Sequence, residues 1–186
     1  MVLKDKTGKI LSRSEGEAVM KGRGAITISI YAALLAICTL VSASYSGKVL
    51  TNTLKANDTW SFYQAKAIKQ GIAELAFNDA VAIGNMSKAA ELKSKIDRYE
   101  SDPSTNEGKK ELYQKGKALE AERDEAKLRG PYFSFASAFL QIAIVLSSTA
   151  ILAVSMEMLF ASIMFGVLGA LLLSNGIWYF FTIPWL

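Results

Sequence analysis

No histidine occurs anywhere in the 186 residues. That absence removes imidazole from the available chemistry, so a His-based zinc site, His-ligated haem, a His general base and a Ser-His-Asp triad are all excluded. Cysteine is nearly absent too. The single Cys38 rules out an intrachain disulfide, and its place inside an apolar run suits a small residue at a helix contact. No glycine loop follows a strand to cradle phosphate. No basic stripe with interleaved aromatics suits nucleic acid. The paired carboxylates Glu120 and Asp124 lie one helical turn apart but lack the third ligand and the Gly-centred loop of a cation site. The sequence therefore predicts no catalytic residue, no cofactor, no metal and no nucleic-acid partner.

What is present is apolar and unevenly placed. Hydrophobic residues make up 51% of the chain, and the net charge is +4. The Lys, Arg, Asp and Glu side chains fall on residues 1–23 and 48–130, with Glu157 the one exception. Between them lie three uncharged runs, at 24–47, 131–156 and 158–186. Each exceeds the roughly 20 residues that carry a helix across a ~30 Å hydrocarbon core. Lipid admits only helices or closed barrels, so these runs predict transmembrane helices. The last two, joined at Glu157, read as a helical hairpin with that carboxylate in the turn. The expected fold is an all-α membrane protein: three transmembrane helices, with a helical-hairpin, coiled-coil-like insertion between the first and second.

Residues 1–23 read as a polar, basic tail, mostly irregular, with a short surface helix near residues 15–20. A basic stretch followed by an apolar run has the layout of a signal peptide, but the run is long enough to span, which favours an uncleaved anchor. In the insertion, Leu50, Leu54, Ala65, Ile68, Ile72 and Leu75 recur at helical steps and form the expected core stripe. Gly84-Asn85 is the expected break, and Ser87 the cap of a second helix carrying Ala89, Leu92, Ile96 and Tyr99. Asp102-Pro103 ends it. Ser104 and Glu107 match a capping box for a third helix over residues 107–129. Glu91–Lys95, Glu111–Lys115 and Glu125–Arg129 are acid-first pairs that steady such helices. Pro131 is expected to open the second span. Tyr132, Phe133, Trp178, Tyr179 and Trp185 suit the membrane interfaces.

The third run carries Ser162, Gly166, Ala170 and Ser174 four residues apart, with Gly169 beside them. Such a ridge of small residues is expected to be a helix-packing face, because lipid supplies no hydrophobic drive between helices and close approach must do the work. Four residues of the insertion form a candidate partner-binding cluster: Trp60, Tyr63, Gln64 and Lys66. Trp and Tyr there are either anchors for a partner or packing against the returning helix near residues 112–119.

The stretch from Asn57 to Gln70, with its Trp-x-x-Tyr-Gln-Ala-Lys core, resembles the signature of a bacterial membrane family catalogued as domain of unknown function 4337. Leu119-Glu120-Ala121-Glu122-Arg123-Asp124-Glu125-Ala126 resembles it as well. The resemblance covers the chain from about residue 25 onward. It implies bacterial origin, membrane location and this architecture, and no mechanism. One departure is Met156-Glu157-Met158, where basic residues are expected.

The expectation is a non-catalytic integral membrane scaffold or accessory subunit. It contacts membrane lipids and assembles as a homo-oligomer or within a larger membrane complex, since the charge-rich insertion has little core of its own. The alternative is a component of a small oligomeric channel or transporter lined by Gln141, Ser148 or Asn175. Long loops cross a membrane largely regardless of charge, so the basic tail sets orientation. The N-terminus is expected in the cytoplasm of a bacterial inner membrane, with residues 48–130 in the periplasm.

Overall fold

The computed structural model describes residues 13–182. Every regular element among them is an α-helix: α1 (Arg13–Ala82), α2 (Met86–Glu100), α3 (Lys109–Ala153) and α4 (Met156–Trp178). α1, α3 and α4 are each long and apolar enough to cross a membrane, as expected of a membrane protein. The chain divides into two compact units. One takes in residues up to Ser46 and again from Leu128; the other is Gly47–Lys127.

In the first unit, three helices surround a core of Tyr31 and Cys38 from α1, Phe133, Ala136, Leu140 and Ala143 from α3, and Leu173 from α4. Glycines of α4 make the contacts close. A Cβ at Gly166 would strike the ring of Tyr31, one at Gly169 would lie 2.9 Å from Leu140, and one at Gly176 would lie 2.8 Å from Phe133. A second cluster joins Met20, Ala150 and Leu159. Outward, α4 shows Phe160, Met164, Val167 and Leu171, the bulky surface that lipid accepts.

α3 ends in a Schellman-type turn. Val154 takes a left-handed backbone (φ 50°) and Ser155 N–H donates to the Ala150 carbonyl at 3.1 Å. Ser155 then caps α4. Glu157 therefore lies in the first turn of α4 rather than in the turn itself, where the helix dipole favours a carboxylate. The third apolar run stops being helical at Trp178, short of the expected 186; Trp185 lies outside the described residues.

Several local expectations need correction. Helix α1 begins at Arg13, so residues 13–23 are helical rather than irregular; the earlier part of the tail lies outside the described residues. α1 closes as foreseen near Gly84 (φ 75°), with Asn85 N–H donating to the Ala80 carbonyl at 2.9 Å. The cap of α2 is Asn85, whose side chain accepts from Lys88 N–H, and not Ser87. Ser104 does not cap α3. Its hydroxyl donates to Asp102 at 2.5 Å, and the first helical hydrogen bond runs from Leu112 N–H to the Gly108 carbonyl. Glu111 reaches back rather than forward to Lys115. Its two oxygens accept from the Ser101 hydroxyl (2.6 Å) and Asp102 N–H (3.1 Å). Pro131 opens nothing: α3 continues through it, although a proline within a helix deprives one carbonyl of its donor.

The largest correction concerns the core of the second unit. The stripe expected inside is outside: Leu50, Leu54, Ile68, Ile72 and Leu75 are 61, 56, 65, 63 and 68% exposed. The buried side of α1 carries Asn52, Ala56, Thr59, Ala73 and Ala80, with Tyr63, Lys66, Gln70 and Phe77 half-buried between them. These follow steps of four and three, a 3.5-residue period. Facing residues on α3 are small as well, with Gly116 and Ala126 buried beside Leu112. Small side chains let two helix backbones approach, so this narrower seam wins the interior over the bulkier stripe. Ala89, Leu92 and Ile96 of α2 are buried as expected; Ala89 and Leu92 form a small cluster with Ala80 of α1.

Candidate functional site

The residues singled out in the second unit form one aromatic cluster between α1 and α3. The Trp60 indole packs against Gly116, where an added Cβ would sit 2.9 Å from the ring. Trp60 Nε1–H donates to Glu120 Oε1 at 3.0 Å. Tyr113 and Tyr63 both stand edge-on to the indole, at 5.6 and 5.8 Å between centroids, the arrangement that ring quadrupoles favour. Lys117 donates to the other oxygen of Glu120 at 2.9 Å and sits 5.8 Å from the Trp60 ring centre. The Lys117 ammonium first, and the indole N–H second, hold the Glu120 carboxyl below its ordinary range. Further along, Asn52 Nδ2 donates to Glu122 at 3.1 Å.

Lys66 lies elsewhere on the same unit. It pairs with Glu107 at 3.4 Å and stands over the rings of Phe62 and Tyr99. With Lys95, Arg98, Tyr99 and Asp102 it lines a cleft of about 250 Å³. Arg98 pairs with Asp102 and Lys95 with Glu91, so the cations of this cleft are matched by carboxylates. Gln64 is exposed, on the outward side of α1. The structure thus brings Trp60 and Tyr63 together, sets Lys66 apart in its own cleft, and leaves Gln64 facing out.

In the first unit the small-residue ridge meets two helices. Ser162 is fully buried and donates to the Ala143 carbonyl at 2.7 Å. Its hydroxyl also lies 2.6 Å from that of Ser147, which in turn is 3.1 Å from that of Thr27. One hydroxyl chain therefore ties α1, α3 and α4. The buried line of α4 runs Leu159, Ser162, Gly166, Gly169, Leu173, Gly176, while Ala170 and Ser174 lie half-buried beside it. Residues spaced strictly by four drift around a 3.6-residue helix, whereas alternating steps stay on one face.

Near the opposite end of the same bundle, Arg129, read from the sequence only as the partner of Glu125, ties the three helices together. It donates to the Ile177 carbonyl at 2.8 Å and to the Tyr45 hydroxyl at 3.1 Å, with its guanidinium 5.4 Å from the rings of both Tyr45 and Tyr179. A cation on the last carbonyls of α4 complements the helix dipole. Asn175 closes this end: its amide donates to and accepts from the Phe181 backbone at 3.0 and 3.2 Å.

Among the described residues, no group of three or more His, Cys, Asp or Glu side chains could hold a metal ion. The model of a family described as a domain of unknown function, DUF4337, matches residues 20–179. The chain belongs to the DUF4337 family. That match takes in the aromatic cluster, the hydroxyl chain and Arg129 alike. No curated protein and no solved structure matches the chain. For this DUF4337 chain the signal that sequence reasoning passed over was the 3.5-residue period that runs through Asn52, Ala56, Thr59 and Tyr63 along α1.

Proposed function

We propose that this DUF4337 chain is a non-catalytic scaffold or accessory subunit of the bacterial inner membrane, assembling with copies of itself or with a larger complex. The observation that carries this reading is the outer side of α1 in the Gly47–Lys127 unit, which leaves five bulky aliphatic side chains in the open. Monomeric water-soluble surfaces rarely leave a cluster such as Ile68, Ile72 and Leu75 in the open. The charge-rich composition of the same unit argues for water around it, and the basic tail favours a cytoplasmic N-terminus with this unit in the periplasm. The Trp60 cluster serves the reading by holding α1 and α3 together, so that the outer side is presented on a fixed helix.

Extraction in mild detergent followed by native mass measurement tests the proposal. Oligomers or a stoichiometric complex are expected, with the chain retained on vesicles through an alkaline carbonate wash. A discrete monomer without a partner would refute it.

A channel or transporter component is the second reading. Its support is Gln141, which is exposed midway along the apolar part of α3 and spends one amide hydrogen on Ser137 at 3.0 Å. Ser148 is exposed too, but its hydroxyl returns to the Ile144 carbonyl, and Asn175 is turned to Phe181. Solute flux through liposomes carrying the chain, lost on Gln141→Leu, is the expected result under this reading.

A further inference from the structure

We infer that the outer stripe of α1 is the seat of a second copy of this chain, packed parallel and in register as a two-stranded coiled coil. This rests on the scaffold reading and names its partner. Leu54, Ser61, Ala65, Ile68, Ile72 and Leu75 repeat at alternating steps of seven, four and three, the 3.5-residue period of such a seam. All but the half-buried Ala65 are exposed. The stripe lies on the side of α1 away from the seam that α3 already occupies, and none of the described residues covers it.

Three features select a second copy over an unrelated partner. First, α1 is one helix from Arg13 to Ala82, and its apolar first part is long enough to span. Two copies inserted in the same sense therefore carry the stripe the same number of residues beyond the span. Parallel, in-register pairing then matches each residue with its twin. Second, β-branched Ile72 at an a position with Leu54 and Leu75 at d follows the pattern of parallel dimers, Ile68 at d being the one departure. Third, the flanks are compatible. Lys55 and Lys69 border the stripe on one side, and Asn57, Gln64 and Asn78 on the other. Across a parallel pair, Lys69 meets the neutral amide of Gln64, so no like charges are opposed on these flanks. Asp58 and Asp79 occupy seam positions at either end of the Ser61-to-Leu75 stretch. There each would meet its twin, a like-charge contact that confines the close-packed segment to that stretch.

The test uses the full chain in liposomes. Cysteine is introduced singly at Ile68 or Ile72, with Lys93→Cys on the exposed side of α2 as control. The native Cys38 is fully buried and gives the wild-type background. Mild oxidation should yield covalent dimers of the Ile68 and Ile72 variants, and none of wild type or Lys93→Cys. Dilution of donor- and acceptor-labelled chains in lipid should show self-association that Ile68→Glu/Ile72→Glu weakens by about a hundredfold or more, because four carboxylates would enter one apolar seam. Unchanged far-ultraviolet circular dichroism separates this from misfolding, and Ile68→Leu/Ile72→Leu should retain association. Self-association that survives the double Glu variant, without cross-links at either site, overturns this interface and leaves the scaffold reading standing. Wild-type chains that stay monomeric at every lipid ratio overturn both.

Discussion

The two units solve the same packing problem in opposite ways. In the unit built from the chain up to Ser46 and from Leu128 onward, large side chains point inward: Tyr31, Phe133 and Leu140 lock against α4 glycines. In the Gly47–Lys127 unit, small and polar side chains point inward along α1 and the large aliphatic ones point out. Glycine serves both. Gly166 receives a tyrosine in one and Gly116 a tryptophan in the other. The difference teaches that bulk alone does not mark a core. Close approach of backbones fixes which face is buried, and bulky residues left outside are harmless in lipid but costly in water.

Five perturbations would sharpen or break this contrast. The largest effect is expected from Trp60→Ala, which removes the indole that packs on Gly116 between α1 and α3. A buried aromatic truncated to Ala costs about 3–5 kcal/mol, and about 2–3 is expected for this half-exposed indole. Urea unfolding followed by circular dichroism should show the Gly47–Lys127 unit melting early while the other unit persists. Gly166→Val should do the reverse. It forces the Tyr31 ring aside, with overpacking worth about 1–3 kcal/mol, read as a lower melting temperature of the membrane unit in detergent. If either change weakens both units equally, the contrast is wrong.

A smaller effect attaches to the hydroxyl chain. Ser162→Ala leaves Ser147 without its 2.6 Å neighbour, and interhelical hydrogen bonds of this kind contribute about 0.6–2 kcal/mol. Thermal melting in detergent measures it. Val154→Gly should act in the opposite direction, because a β-branched residue at positive φ is strained by roughly 1 kcal/mol that glycine avoids; the same melt should shift upward.

Acid should discriminate the units last and most mildly. Paired ammonium groups of Lys88 and Lys95 hold Glu91 at about 2, and the Ser104 hydroxyl leads the groups that hold Asp102 at about 2. Carboxyls lowered in the folded state contribute stability that is fully present above their unfolded pKa near 4. It is lost as pH falls through about 2. The melting temperature of the Gly47–Lys127 unit should therefore drop slightly between pH 4 and 2, and Lys88→Met/Lys95→Met should blunt the drop.

Much of this architecture was legible in the residues. Three uncharged runs announced three helices able to span, and Gly84 and Asp102-Pro103 marked the breaks on either side of α2. What escaped has a common cause. Apolar periodicity finds a helix face but not its neighbour, so Leu50, Leu54, Ile68, Ile72 and Leu75 were read as a core that belongs to Asn52, Ala56 and Thr59. Local rules also compete: Asn85 outbid Ser87 as a cap, and the tertiary pull on α3 overrode Pro131. Of the candidate cluster, the Trp60–Tyr63 pairing was visible at helical spacing. Its long-range ties to Gly116, Tyr113 and Glu120 were not, because nothing in local sequence records which residues sixty positions away will meet.

Cys38 offers a last consequence. Its thiol donates to the Phe133 carbonyl at 3.3 Å and is fully shielded in the bundle. As the sole sulfhydryl, it can serve as a built-in clock. Maleimide should react only when α1 and α3 part, so the labelling rate in intact membranes would report how often the bundle breathes.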